Sequence, residues 1–240
     1  MMPTTVDVTP FLANPPLEGT NTQVPVGLIF MLNHFIKAVL RQLATEASED
    51  GRAADQLGIL VVMIFANPNF RPNGICLIDI FWAKFHKACP VLFGINGPPS
   101  NAPAARARLG FLAEEPDGEH YRRMRGLAAG FAAVTLRDFS KSANQNPAPN
   151  HLYWTALARI LSTPPDKQSP TQYTVLFHMI QLFVPKFIHF YGTAAIAALR
   201  KACIDFPATA PKMQNGSYDS AILAMQSLPL SLQKEFNLTL

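Results

Sequence analysis

The sequence predicts an all-α fold built from antiparallel helix pairs that proline-rich loops join. Apolar residues recur with a period near 3.6 in every strongly patterned segment. No segment alternates convincingly between apolar and polar residues at period two, as a half-buried strand would. The chain also contains 21 prolines, and a proline ends or kinks a helix because it fixes φ and lacks a backbone donor.

The segment 75–89 gives the strongest helical pattern. Asn73 and Gly74 can start this helix, and Pro90 stops it. Lys84, with His86 and Lys87, lies on the polar side. The predicted buried arc, which includes the tryptophan as a core residue, is Ile75, Ile78, Phe81, Trp82, Phe85 and Cys89.

Two further segments predict long amphipathic helices. The first covers 24–48 and the second covers 119–139. Gly126 and Gly130 in the second would let another backbone come close, so this helix is expected to pack on two sides. The expected buried faces are Leu28, Met31, Leu32, Phe35, Val39 and Leu43 in the first helix, and Tyr121, Met124, Ala128, Phe131, Thr135 and Phe139 in the second.

The remaining segments complete the predicted domain. We expect helices at 53–66, 151–161, 193–206 and 219–227, and one from Thr171 that Pro185 must kink or split. Residues 1–24 are rich in Thr, Pro and Asn and lack periodicity, which predicts a flexible arm. Residues 25–240 are predicted to form a single all-helical domain.

Composition limits the class of protein. The 240 residues are 49% hydrophobic and only 15% charged, with a net charge of +4, so the chain can bury a full core and is not typical of duplex nucleic-acid binders. The three cysteines lie in apolar patterns and predict buried free thiols. No signal peptide is visible, and the longest apolar run, 57–66, has about half of the ~20 residues that a membrane span needs.

The motifs and clusters that enzymes use are missing. The sequence has no nucleophile elbow, P-loop, dinucleotide fingerprint or HExxH motif. Its six histidines are dispersed, and the pairs Glu49–Asp50 and Glu114–Glu115 are predicted to be solvated surface. An enzyme is therefore disfavoured.

Three clusters of basic residues remain: Lys37 with Arg41, Lys84 with Lys87, and Arg122 with Arg123 and Arg125. The arginines are expected in the first turn of their helix, where cations oppose the helix dipole. If the three helices are neighbours, the clusters could form one pocket whose charges a multiply charged anion would neutralise. The alternative is that they are separate solvated edges.

Five segments resemble the C-terminal domain of the Gle-one family of nuclear-pore mRNA export mediators, in its fungal form. They are FMLNHFIKAV, LIDIFWAKFHKACPVLFG, YRRMRGLAAGFAAVTLRDFSKS, YWTALARILSTPP and FYGTAAIAALRKACIDFP. Their order and spacing cover about residues 26–207. The resemblance implies a HEAT-like or MIF4G-like helical stack without catalytic activity, located at the cytoplasmic face of the nuclear pore complex.

The same resemblance implies partners and a ligand. A DEAD-box RNA helicase would be bound and its ATPase cycle and RNA release stimulated, with inositol hexakisphosphate (IP6) bridging the two proteins. The implied IP6-binding residues are Lys37, Lys84, Arg122 and Arg123, with Lys87 nearby. An FG nucleoporin C-terminal segment is a further implied partner, with RNA contacted only indirectly and no direct membrane contact.

Two rival functions remain open. One is a direct RNA-binding module, which is disfavoured because no exposed aromatic is expected among the basic residues. The other is an adaptor whose apolar surface binds nucleoporin peptides and whose cations are incidental.

Overall fold

A computed structural model describes residues 4–14, 16–97, 102–210, 212 and 219–240. The predicted all-α class is confirmed, and the only sheet among these residues is a two-stranded one. The HEAT-like arrangement stays a prediction. The α-helices are α1 (Val26–Glu49), α2 (Gly51–Ala66), α3 (Ile78–Ala88), α4 (Pro103–Arg108), α5 (Asp117–Thr135), α6 (His151–Leu161), α7 (Pro170–Ile180), α8 (Val184–Tyr191), α9 (Thr193–Arg200), α10 (Phe206–Ala208) and α11 (Ser220–Phe236).

Helix α5 is the centre of the core. It packs against α1, α2 and α7, and its residues from Gly126 to Thr135 are all buried. A Cβ atom at Gly126 would lie 1.8 Å from the Leu43 carbonyl oxygen, and one at Gly130 would lie 2.5 Å from the Leu43 side chain. The predicted close backbone approach is therefore confirmed, because no larger residue fits between α5 and α1.

The buried face of α1 differs from the predicted one. Leu32, Val39 and Leu43 are buried as expected, together with Ile36, but Met31 is 68% exposed. Apolar residues occupy adjacent positions along the first half of this helix, so the sequence supports two arcs that differ by about one residue. Packing against α5 selects the arc through Ile36, and Met31 then faces outward.

Helix α3 begins three residues later than predicted. Asn73 (φ 55°) and Gly74 (φ 79°) adopt left-handed conformations in a 3₁₀ turn, so neither can open an α-helix. The predicted stop is confirmed, since α3 ends at Ala88 and Pro90 starts another 3₁₀ turn. Trp82 was predicted to be core but is only partly buried; one side of its ring packs against other rings and the rest lines a surface cavity.

In the C-terminal half, the predicted break at Pro185 is confirmed and the end of the last helix differs from the prediction. Pro185 lies in the first turn of α8, which splits the predicted helix into α7 and α8. The last helix was predicted to end at Ser227 but continues to Phe236, and Pro229 lies inside it without ending it. Asp219 caps this helix, since its carboxylate accepts a hydrogen bond from the Ala221 N–H.

The first residues of the described chain contact the helical body. Strand β1 (Thr5–Asp7) pairs antiparallel with β2 (Gln23–Pro25), and Val8 and Val24 are fully buried. The division into a flexible arm at 1–24 and one domain at 25–240 stays a prediction.

Two further features concern thiols and hydropathy. Cys89 and Cys203 are buried, Cys76 is partly buried, and all three are free thiols.

By length and composition alone, α1 is apolar enough to cross a membrane. Its buried stripe packs on α5, as that of a core helix does.

Candidate functional site

Two of the predicted site residues, Lys84 and Lys87, lie on α3. Their spacing of three residues places them side by side on one helix face. Lys87 is exposed and Lys84 is partly buried. Neither ammonium forms an ion pair in the part of the chain that the structure describes, so α3 presents two uncompensated positive charges.

Lys37 lies on the outer face of α1. Phe30, His34, Lys37 and Arg41 follow one another at spacings of four, three and four residues, which aligns them along one side of the helix. All four are exposed, and the rings of Phe30 and His34 lie 4.4 Å apart. The expectation that no exposed aromatic accompanies the basic residues is therefore wrong, because Phe30 is 60% exposed.

The helices that carry these lysines are neighbours. Helix α1 packs against α3, and a chain of aromatic rings also links them through α2. The ring centroids of Phe35 and Phe65 are 6.5 Å apart, and those of Phe65 and Phe81 are 6.3 Å apart. The two helices that carry Lys37 and the α3 lysines therefore belong to one packed core.

Arg123 is an internal cation rather than a free one. Its Nε and Nη2 donate to the two carboxylate oxygens of Glu115 at 2.9 and 2.8 Å, and the same guanidinium donates to the carbonyl oxygens of Ala88 and Gly110. The Arg123 side chain is 15% exposed and that of Glu115 is 8% exposed. Because Ala88 is the last residue of α3, Arg123 holds the end of the helix that carries Lys84 and Lys87.

Glu115 corrects the prediction of solvated surface at Glu114–Glu115. Glu114 is exposed, but the Glu115 side chain is buried in its ion pair. Burial alone would raise the pKa of the Glu115 carboxyl; the Arg123 guanidinium and the Leu112 N–H outweigh that effect, and the pKa lies below its ordinary value.

Arg122 lies at the surface next to Arg123. It pairs with Glu119 on its own helix, and its Nη1 lies 3.9 Å from Glu49 at the end of α1. The expectation that these arginines crowd the first turn is wrong. Helix α5 starts at Asp117, so its first turn carries Asp117 and Glu119, which suit the helix dipole.

His120 completes the buried cluster around Glu115. Its Nδ1 lies 3.4 Å from a Glu115 oxygen, its Nε2 lies 3.1 Å from the Thr171 hydroxyl, and its ring stacks on Phe111 at 3.4 Å. Burial, followed by repulsion from Arg123, lowers the pKa of His120 to about 4. This histidine is therefore neutral in the folded protein near pH 7.

The structure brings some predicted site residues together and separates others. Arg123 contacts the end of α3, since it donates to the carbonyl oxygen of Ala88, the residue after Lys87. Arg122 lies beside Glu49, which is twelve residues after Lys37 and so about 18 Å further along α1. The five-residue site stays a prediction, and its lysines differ from its arginines because both arginines already have carboxylate partners.

Metal binding has no support in the described residues, which contain no group of three or more His, Cys, Asp or Glu side chains that could hold an ion. His120 and Glu115, the titratable pair at the start of α5, are held in a buried structural cluster. The chemistry that this surface supports is binding of negative charge.

Comparisons with known proteins place the chain in a family. The family model described as GLE1-like protein matches residues 5–203. The chain is 43% identical to an mRNA export factor GLE1 of Chaetomium thermophilum over 98% of its own length and 45% of the relative's. It is 25% identical to the Saccharomyces cerevisiae mRNA export factor GLE1 over 69% of its length and 31% of the relative's.

Solved structures share the fold. Two structures of an S. cerevisiae Dbp5 C-terminal domain variant bound to Gle1 and IP6 match with TM-scores of 0.71 and 0.72 at 23% and 24% identity, and each covers 88% of this chain and 70% of that chain. The chain spans less than half the length of the curated relatives that it matches. With a family model that covers residues 5–203, the chain belongs to the GLE1-like family.

Proposed function

We propose that this chain is the part of an mRNA export factor that binds inositol hexakisphosphate and, through it, a DEAD-box RNA helicase at the cytoplasmic face of the nuclear pore. The observation that carries the proposal is that Lys37, Lys84 and Lys87, on two helices that pack together, form no ion pair with any residue that the structure describes. The solved Gle1 structures of the same fold name IP6 and the Dbp5 C-terminal domain as the bound molecules.

The physical reason for a polyphosphate is charge density. Each of these ammonium groups, which have no carboxylate partner among the described residues, gains a charge-assisted hydrogen bond when a phosphate oxygen approaches. A ligand with several phosphates can contact lysines on different helices at once, as a single carboxylate cannot. Its remaining phosphates would then face a basic surface on the helicase, which makes the ligand a bridge.

The two arginines of the predicted site take different parts in this proposal. Arg122 is 45% exposed at the side chain and can exchange Glu119 for a phosphate. Arg123 is a positioning residue: it donates to the Ala88 carbonyl and so fixes the helix that carries Lys84 and Lys87. Stimulation of the helicase ATPase cycle then requires both the IP6 contact and an undistorted α3.

Nucleoporin binding is the second part of the proposal. An apolar groove of 370 Å³ lies between α6 and α9, and Trp154, Leu157, Leu161 and Ala197 are among its lining residues. It shares no lining residue with the lysine-bearing helices. We propose that the FG nucleoporin segment lies here, since such segments bind through apolar side chains.

Isothermal titration calorimetry with IP6 tests the polyanion site. Lys37→Glu and Lys84→Glu should each weaken IP6 binding at least tenfold, because each places a negative charge where a phosphate would lie. Lys234→Glu on α11 is the matched control, since Lys234 is also exposed and forms no ion pair among the described residues. Equal binding by all three variants would contradict the site, and a helicase ATPase assay with and without IP6 tests the activation.

Direct RNA binding is a second candidate function because Phe30 is exposed in line with Lys37 and Arg41. Aromatic rings beside basic residues bind single strands by stacking and charge. If this function is the correct one, a labelled single-stranded RNA binds the domain without IP6, and Phe30→Ala weakens that binding. No RNA binding at low salt removes this candidate.

A further inference from the structure

The segment that follows α4 contacts the end of α3. The Arg123 guanidinium joins the two, since it donates to the Ala88 carbonyl oxygen at 3.2 Å and to the Gly110 carbonyl oxygen at 2.6 Å. Ala88 directly follows Lys87, the exposed lysine in the last turn of α3. The chain between α4 and α5 therefore passes beside a lysine of the proposed IP6 site.

Gly110 permits this contact because it has no side chain. Its φ of +91° is left-handed, and a Cβ atom there would lie 2.8 Å from the Pro90 Cδ atom and 3.2 Å from the Ala88 carbonyl oxygen. A larger residue would push the two segments apart. Arg108 is two residues before Gly110, so their Cα atoms lie at most about 7 Å apart. The last residue of α4 thus lies close to the end of α3.

The backbone around Arg108 is fixed by a tight turn. The N–H groups of Leu109 and Phe111 donate to the Arg106 carbonyl oxygen at 3.0 and 3.1 Å. Leu109 is buried in the core, whereas Arg108 is exposed. The turn therefore presents the Arg108 side chain at the surface from a fixed position.

The charge of Arg108 is not neutralised within the part of the chain that the structure describes, where it forms no ion pair. Three carboxylates follow α4 closely in sequence. Glu115 and Asp117 pair with other arginines, and Glu114 is exposed without an ion pair among the described residues. Arg108 thus resembles Lys87, because both are exposed cations without a carboxylate partner there.

We propose that Arg108 is a further IP6-binding residue, which contacts phosphates at the α4 side of the surface that Lys84 and Lys87 form. The inference rests on the proposed function, because the ligand is the same. A guanidinium can bind one phosphate through two parallel hydrogen bonds, which a lysine ammonium cannot do in that planar geometry. A ligand with several phosphates can contact lysines on α3 and an arginine on α4 together.

Arg108 supplies a guanidinium that the two arginines of the predicted site supply less readily. Arg123 is committed to Glu115 and to two backbone carbonyls, and Arg122 pairs with Glu119. Either arginine would have to leave a carboxylate before it could bind a phosphate. Arg108 exchanges only water for the phosphate, so its whole charge is available to the ligand.

Isothermal titration calorimetry with IP6 tests the role of Arg108. Arg108→Glu should weaken IP6 binding roughly fivefold or more, because a carboxylate replaces a guanidinium that binds phosphate. Arg200→Glu is the matched control. Arg200 is also exposed in the last turn of a short helix, forms no ion pair among the described residues, and makes the same change in net charge. It should bind IP6 like the unchanged protein.

Two further variants and a salt series separate contact from general charge. Arg108→Met removes the donors and keeps the aliphatic stem, whereas Arg108→Lys keeps the charge and should lose less affinity. The affinity ratio between the unchanged protein and Arg108→Glu should persist in 0.5 M NaCl, where the Debye length is about 4 Å. An unchanged melting temperature shows that each variant is folded.

The proposed function and the role of Arg108 can fail separately. If Arg108→Glu binds IP6 like the unchanged protein while Lys84→Glu does not, Arg108 is outside the site and the proposed function stands. Equal losses in Arg108→Glu and Arg200→Glu, or a loss that disappears in 0.5 M NaCl, also overturn the role of Arg108. If the unchanged protein does not bind IP6, the proposed function is wrong and the role of Arg108 falls with it.

Discussion

Two groups of basic residues differ in how their charge is neutralised. Arg123 is buried in a bidentate pair with Glu115 and also donates to two backbone carbonyls. Lys37 and Lys84 carry the same charge without any ion pair in the described chain. The first arrangement stabilises the fold, and the second leaves charge available for a ligand.

The comparison shows that cation count does not identify a binding site. An arginine that loses its water on folding must find a carboxylate inside the protein, because an unpaired buried charge is costly. An exposed lysine keeps its water and can release it to a phosphate. The burial of a cation and the presence of a carboxylate partner therefore separate structural cations from ligand-binding ones.

The largest expected effect is that of Arg123→Ala. It leaves the buried Glu115 carboxylate unpaired and releases the end of α3, so the free energy of unfolding should fall by about 3–5 kcal/mol. Urea denaturation followed by circular dichroism measures it. Arg125→Ala, at an exposed position two residues on, is the control and should cost under ~0.5 kcal/mol. If Arg123→Ala lowers the free energy of unfolding by less than ~1 kcal/mol, Arg123 is not a structural cation.

The identity of the helices could be predicted from the sequence, but two of their details could not. Asn73–Gly74 preceded an apolar pattern and so suggested a helix start, yet only the backbone shows that both residues are left-handed. The direction that α1 faces was ambiguous because apolar residues nearly surround its first half. Met31 and Ile36 had equal claims until contact with α5 decided between them.

The sequence predicted which cations belong to the candidate site, but it could not predict which carboxylates pair with them. Nothing in the sequence pairs Arg123 with Glu115, since the two are eight residues apart across a helix start. One signal was present in the sequence EEPDGEHYRRMR: Glu115 lies just before the predicted helix, close enough along the chain to fold back onto Arg123.

A smaller effect is expected from acid. His120 has a pKa lowered from 6.5 to about 4 in the folded protein, so the unfolded chain binds more protons between these values and stability falls as pH drops through this window. Glu115, whose pKa is also lowered, adds to the loss below its ordinary value. The groups that face His120 are Glu115, Arg123 and Arg106.

Protonation of His120 should lower the free energy of unfolding by roughly 3 kcal/mol, since its pKa falls from 6.5 in the unfolded chain to about 4 in the folded protein. Denaturation at pH 7 and at pH 4 measures it. His120→Gln should flatten the dependence, since glutamine cannot take up the proton that the unfolded chain binds. His189→Gln is the control, because His189 is 66% exposed at the side chain. A dependence that His120→Gln leaves unchanged would assign the acid sensitivity to other groups.

The smallest expected effect belongs to Arg122, the immediate neighbour of Arg123. Its pair with Glu119 joins two side chains that are 45% and 56% exposed, and water and salt screen such pairs. Arg122→Ala should therefore lower the free energy of unfolding by only about 0.2–1 kcal/mol. The loss should shrink further in 0.5 M NaCl, whereas that of Arg123→Ala should not. In the same proteins, IP6 affinity should fall less for Arg122→Ala than for Lys84→Glu, because Arg122 must first leave Glu119. If Arg122→Ala destabilises the fold as much as Arg123→Ala, the separation between paired and free cations does not follow burial.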